Sequence, residues 1–180
     1  MSYFNGNNII KLQSVDSTNN YATRLIMSSV PKDWTIIIAE EQLSGKGQKG
    51  NAWESEKGKN LLFSIIVYPN FLKIYDQFLL SKVVSLGICN VISMFSDSVS
   101  VKWPNDIYIY DNKLCGILIE NSVTGDKINH SIIGIGLNVN QKSFLSNAPN
   151  PVSLSEILKM EFDKDEVFEM ITHHTISLKN

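Results

Sequence analysis

Two cysteines in 180 residues are too few for a disulfide framework, and Cys89 and Cys115 both fall inside apolar, regularly patterned segments, where a small core side chain is the simplest reading. Three histidines, His130, His173 and His174, show no spacing typical of a metal site. No apolar run approaches the ~20 residues needed to cross a bilayer, and the amino terminus lacks a charged segment followed by an apolar one. The cytoplasm is the expected location, with no membrane partner. Charge of one sign is also lacking: 16 Lys plus Arg against 18 Asp plus Glu leaves −2, so no broad positive field draws nucleic acid. Repeats, low-complexity tracts and linkers are absent. What remains is the composition of one soluble domain, long enough to remove about 70% of its unfolded surface from water.

Hydrophobic periodicity supplies the elements. Residues 9–13 and 34–40 read as strands, with a helix between them that Asp16 or Ser17 can cap and that stops near Ser28 and Pro31. Residues 61–69 form a buried strand. Phe78, Leu79, Val83, Leu86, Val91 and Met94 predict a long amphipathic helix over 75–95. Four further strands follow, separated by the turn residues Asp111–Asn112 and Thr124–Asp126, and two helical patterns close the chain. Strands adjoining through hairpin turns imply antiparallel pairing, so the predicted fold class is α+β, a mixed, largely antiparallel sheet with helices packed against it.

Three stretches carry chemistry. Residues 42–50, QLSGKGQKG, lie between two strands and combine three glycines with Lys46 and Lys49. Backbone N–H groups of such a loop can form an anion-binding concavity, although a flexible surface connection has the same composition. In residues 101–120, VKWPNDIYIYDNKLCGILIE, Pro104 ends strand pairing and puts Asn105 and Asp106 on a tight turn beside Lys102, which ordinary turn chemistry also explains. Strand alternation places Lys113 on the face of Cys115, Ile117 and Ile119; a lysine there needs an anionic partner, or snorkels from the strand end. In residues 134–140, GIGLNVN, alternation sends Ile133, Ile135, Leu137 and Val139 to a core face and Gly134, Gly136, Asn138 and Asn140 to a bare one. Two glycines on one face suggest that a flat ligand or another backbone lies against it, and close helix packing would account for the glycines equally.

Together DSTNNYA at 16–22, AEEQLSGKGQKGNAW at 39–53, the 101–120 stretch and GIGLNVN occur in the order that characterises biotin protein ligases, and the chain resembles their catalytic domain over about two thirds of its length. The resemblance implies a fold related to class II aminoacyl-tRNA synthetases and lipoate ligases. It implies activation of biotin by MgATP to biotinyl-AMP, then transfer to a lysine of the biotin carboxyl carrier protein of acetyl-CoA carboxylase. It further implies that Ser17, Thr18, Asn19, Gln42 and Gly116 meet biotin. Lys46 and Gly47 would wrap its carboxylate and the phosphate, Gln48 would also meet biotin, and Lys113 would contact carboxylate and phosphate alike. Trp53, Lys102, Asn105 and Asn138 would serve the nucleotide. Asp106 would serve Mg2+ and help to deprotonate the incoming amine. Lys113, Asp106 and Lys46 are thus the catalytic candidates.

Two departures from the family pattern stand out. Its commoner loop is GRGRRG, whereas here Lys46 is a point charge in place of a forked guanidinium and Gln48 is neutral. The first family block begins at Asp16, so the expectation is one catalytic domain over 1–180 with no N-terminal helix-turn-helix, no DNA partner, and a C-terminal SH3-like barrel absent or truncated. A homodimer stays open. A lipoate or octanoate transferase and a non-catalytic biotin-binding module are the alternative functions.

Overall fold

The computed structural model describes residues 8–145 and 149–177, with Lys49 described for its backbone alone. The strands are β1 (Ile9–Leu12), β2 (Thr35–Ala39), β3 (Leu61–Val67), β4 (Val99–Lys102), β5 (Asp106–Ile109), β6 (Asn112–Thr124) and β7 (Lys127–Leu137). The helices are α1 (Thr18–Ser28), α2 (Phe78–Ile92), α3 (Leu154–Leu158) and α4 (Lys164–Ser177). Seven strands form one sheet in the order β1-β2-β3-β7-β6-β5-β4, parallel between β1 and β2 and antiparallel in every other pair. The mixed, largely antiparallel α+β architecture is the one predicted. No helix among the described residues is long and apolar enough to cross a membrane.

The two faces of the sheet are covered differently. On one, Ile36, Phe63, Ile65, Ile117, Ile133 and Ile135 pack against Val84, Ile88 and Val91 of α2 and Phe168 and Ile171 of α4. The Phe63 and Phe168 rings meet edge to face at 5.2 Å. Truncating a fully buried residue such as Ile88 to alanine there costs about 2–5 kcal/mol. On the other face α1 covers β2, β3 and part of β7 through Ala22, Ile37, Ile66 and Ile132. The rest of that face, over Gly116 and Gly136, is left to the long connection between β2 and β3.

The structure corrects two local expectations. Phe78, Leu79 and Leu86 of α2, and Met94 just beyond its end, are exposed, and the buried face of α2 is Ser81, Val84, Ser85, Gly87, Ile88, Val91 and Ile92. Small residues win that face because α4 comes close: a Cβ on Gly87 would stand 2.6 Å from Thr175 Oγ1 and 2.9 Å from its Cα. Ser17 occupies the cap position of α1, yet neither it nor Asp16 caps the helix with its side chain. Asp16 instead grips Arg24 at 2.7 Å and Asn20 at 2.8 Å. Both cysteines are free, Cys115 buried and Cys89 half-buried, as expected of core residues.

Candidate active site

The connection after β2 doubles back as a narrow hairpin. Trp53 N donates to Gly45 O at 2.8 Å and Gly47 N to Asn51 O at 2.7 Å, around a single 3-10 turn at Gln48–Gly50. It is a folded strap, not a slack surface connection. Gly45 is required by close approach, since a Cβ there would lie 2.5 Å from the Trp53 carbonyl oxygen. This fold lays the Trp53 indole on the bare glycine face. A Cβ on Gly136 would meet Trp53 Cε2 at 2.5 Å, and one on Gly116 would meet Cζ3 at 2.8 Å. The flat group that the paired glycines call for is therefore supplied by the chain itself, while Gly134 is covered by Asn19. The Lys49 side chain lies outside the described residues.

At one end of this cleft the start of α1 meets the strap. Thr18 N donates to Gln42 Oε1 at 2.7 Å, which fixes the Gln42 amide. Ser64, from the middle of β3, stands 2.7 Å from Thr18 Oγ1 and 2.6 Å from Asn19 Oδ1, and Asn19 Nδ2 donates to Glu120 Oε2 at 2.7 Å. Ser17, Thr18, Asn19 and Ser64 are all buried, in a polar cluster on the sheet face that carries the glycines. Asp16 braces the turn that leads into it, its carboxyl held well below the usual range chiefly by the Arg24 hydrogen bond.

At the other end the sheet's register brings a cation and an anion together. Lys113 Nζ lies 2.7 Å from Asp106 Oδ2, with 19% and 26% of the two side chains exposed, and 5.6 Å from the centre of the Trp53 ring. Simple alternation puts Lys113 on the core face, and the structure overturns this. Between β5 and β6, Ile107 pairs with Cys115 while the next residue, Tyr108, pairs with Lys113, so Leu114 is an extra residue. Leu114 and Cys115 both enter the core, and the bulge re-aims Lys113 to the opposite face, beside Asp106 and Gly116. Asn105 is buried and its Nδ2 donates to Ile117 O, which anchors the turn before Asp106.

Lys46 reaches across the cleft to within 3.8 Å of Glu120 Oε1. Asn138 Nδ2 donates to Val152 O at 3.1 Å, while its Oδ1 is buried without a partner, as is Trp53 Nε1. An acceptor and a donor are thus left over beside the cleft, whose volume is about 510 Å³.

Every predicted site residue except one lines this cleft: Ser17, Thr18, Asn19, Gln42, Lys46, Gly47, Gln48, Trp53, Asn105, Asp106, Lys113, Gly116 and Asn138. Lys102 does not. It pairs with Asp106 across the β4–β5 hairpin, but its ammonium lies over the Tyr108 ring at 5.0 Å, one strand farther out. Sequence reasoning missed Ser64 and Glu120, and also Phe144, Pro149 and Pro151, which line the cleft from the segment after β7. Ser64 had a signal: it is the lone polar residue in LLFSIIV. No group of three or more His, Cys, Asp or Glu side chains able to hold a metal exists among the described residues. Asp106 offers a single carboxylate, which fits an ion arriving on a polyphosphate and kept partly hydrated rather than a resident metal.

The chain that carries this cleft is similar to proteins of known kind. The chain is 34% identical over 140 residues to the bifunctional ligase/repressor BirA of Bacillus subtilis, an alignment covering 76% of this chain and 42% of that protein. It is 29% identical over 131 residues to the biotin–[acetyl-CoA-carboxylase] ligase of Paracoccus denitrificans, covering 71% and 53%. The chain thus spans less than half of the Bacillus protein's length. Among solved structures, the biotin protein ligase of Aquifex aeolicus in complex with biotin and ATP superposes with a TM-score of 0.79 at 30% identity, over 96% of this chain and 71% of that one. Residues 11–138 match the family model directly, and the chain belongs to the biotin/lipoate A/B protein ligase family.

Proposed function

We propose that this chain is the catalytic unit of a ligase that activates biotin as biotinyl-AMP and transfers the biotinyl group to a lysine of a biotin carboxyl carrier protein. The observation that carries the reading is the convergence on one cleft of the Lys113–Asp106 pair with the Lys46 strap. A carboxylate has to approach the α-phosphate of ATP, and two anions in contact need fixed cations aimed at the charge that develops between them. Lys113 is such a cation, held by Asp106 and by the bulge; Lys46 is a mobile one.

In the first step a biotin carboxylate oxygen bonds to the α-phosphorus as the bond to the β-phosphate oxygen breaks, and pyrophosphate departs. In the second, a lysine amine attacks the acyl carbon, the bond to the AMP oxygen breaks, and the amine loses a proton. Asp106 would take it. Mg2+ carried by ATP would offset phosphate charge, with Asp106 its one protein ligand. Ser17, Thr18 and Gln42 suit the ureido end of biotin, because a buried polar cluster discriminates for a ligand that pairs with it. Trp53, with its unpartnered N–H, and Asn138, with its unpartnered oxygen, suit adenine's face and edge. Holding the two reactants in line can itself contribute ~7–11 kcal/mol.

The test is biotin-dependent exchange of labelled pyrophosphate into ATP. Exchange with biotin and not with lipoate is expected. Exchange with lipoate instead would move the chain to the lipoyl branch, and biotin binding without exchange would leave a binding module.

A further inference from the structure

Among the described residues two lysines line the cleft, and they differ in how firmly they are held. Lys113 is pinned: its Nζ lies 2.7 Å from Asp106 Oδ2, and 19% of its side chain is exposed. Lys46 meets Glu120 Oε1 only at 3.8 Å, and 43% of its side chain is exposed. Glu120 is fixed from its other oxygen, to which Asn19 Nδ2 donates at 2.7 Å, so the looseness of this pair belongs to the lysine. The Lys46 backbone is placed by its bridge to Ala52, next to the Trp53 whose indole covers Gly116 and Gly136. The strap therefore carries a mobile primary amine on a well-placed backbone, at the rim of the cleft floor.

A primary amine is also the group that the second step of the proposed reaction consumes. In the mixed anhydride the acyl carbon bears AMP as its leaving group, and an uncharged lysine nitrogen within reach can displace it. An arginine on this strap would bring charge without that reactivity, because a guanidinium keeps its proton. Lys46 brings both. To steady the carboxylate and the phosphate, its nitrogen has to come close to the acyl carbon that joins them, and closeness is what favours attack from within one molecule.

We propose that Lys46 is a self-modification site, where the chain acylates its own strap when no carrier lysine takes the biotinyl group. The proposal rests on the reading of the cleft as a biotinyl-AMP site. The Lys46 ammonium first yields a proton to water. The freed lone pair bonds to the acyl carbon, and the bond from that carbon to the AMP oxygen breaks. AMP leaves with the electron pair, and a second proton leaves the nitrogen as the amide forms. The product is a biotinyl amide on Lys46, which no longer carries positive charge. The strap then lacks its cation, so each self-acylation retires one active molecule. Lys113 escapes the same fate because its nitrogen is committed to Asp106.

The experiment supplies preformed biotinyl-AMP to the full chain, without ATP or carrier, and follows each lysine by mass spectrometry of a proteolytic digest. Pyrophosphate exchange is measured on the same samples after the reagent is removed. Lys46 should gain the biotinyl group at least about tenfold faster than Lys57 and Lys142, whose side chains are more exposed, at 63% and 72%, but lie outside the cleft. Excess biotin, which fills the cleft without acylating, should slow Lys46 to their rate. Exchange activity should fall in step with the label on Lys46, whereas Lys46→Arg should hold whatever rate it starts with. Labelling of Lys46 no faster than of Lys57 and Lys142, or labelling that biotin does not slow, would overturn self-acylation while intact exchange kept the ligase reading. Labelled Lys46 in a parent without exchange would support the amine's reactivity and overturn the ligase reading. Biotinyl-AMP that neither binds nor labels would overturn both.

Discussion

Two glycines on the same face of β7 should respond to alanine in opposite ways, although a Cβ at each would sit almost equally close to a neighbour. At Gly134 the added carbon would lie 2.4 Å from Asn19 Oδ1, 1.0 Å inside the 3.4 Å at which ordinary contact begins. Asn19 has nowhere to go: Ser64 holds its oxygen at 2.6 Å and Glu120 holds its nitrogen at 2.7 Å. Overpacking a fixed group costs about 1–3 kcal/mol, and the entropy gained on replacing a strand glycine returns only ~0.5–1 kcal/mol. Gly134→Ala should therefore destabilise by ~1–2 kcal/mol, which lowers Tm by roughly 2–8 °C in a domain of this size.

At Gly136 the shortfall is similar, with the Cβ 2.5 Å from Trp53 Cε2, but the obstacle is an indole on a loop. Its ring nitrogen has no partner to lose. The ring can swing outward, so Gly136→Ala should melt within about 2 °C of the parent. The indole displaced into the cleft should instead weaken ligand binding. The assays are thermal melts beside calorimetric titration with biotin and ATP. A Gly134→Ala protein as stable as the parent, or a Gly136→Ala protein less stable than Gly134→Ala, would refute the view that pinned and swinging neighbours decide the outcome.

Other substitutions probe the remaining parts. Lys113→Met should cut biotin-dependent pyrophosphate exchange by about 10²–10³-fold, as removal of a preorganised transition-state cation does, and exchange within tenfold of the parent would remove that role. Asp106→Asn, given preformed biotinyl-AMP, should transfer to carrier lysine more slowly; an unaltered transfer rate would deny it the proton-accepting role. Gly87→Ala sets a Cβ 2.9 Å from the Thr175 backbone, so it should lower stability by ~1–3 kcal/mol in urea denaturation despite better helix propensity, and a stabilised protein would contradict the close approach of α2 and α4. Asp16 is held below its unfolded value of ~3.9, so its contribution is complete above that pH and fades as the pH falls toward the folded value. Asp16→Asn should thus flatten the acid side of a stability–pH curve, and parallel curves for variant and parent would argue against it.

Features that depend on neighbours in sequence were legible without coordinates. The alternation of Ile133, Ile135, Leu137 and Val139 gave the core face of β7, and all four are buried together. The family blocks likewise named most of the cleft. What escaped depends on a partner strand or helix. The bulge at Leu114 exists only relative to β5, and no pattern within β6 announces it. The buried face of α2 was misphased because closeness to α4 favours Gly87 and Ser85 over large apolar side chains. Lys102 sits in the predicted strand, but sheet order carries β4 to the edge. Ser64 and Glu120 meet Asn19 across 45 and 101 residues of chain, beyond the reach of any local window.

The sheet is a sandwich with one slice incomplete: α2 and α4 close one side, whereas α1 roofs only part of the other. Whatever fills the gap becomes a structural member, laid beside the Trp53 indole that already covers Gly116 and Gly136. Because it binds the folded chain alone, an occupant at a hundred times its dissociation constant adds ~2.7 kcal/mol to unfolding free energy. Under the proposed function the robustness of this fold is thus partly a property of its surroundings, rising and falling with the supply of its ligands.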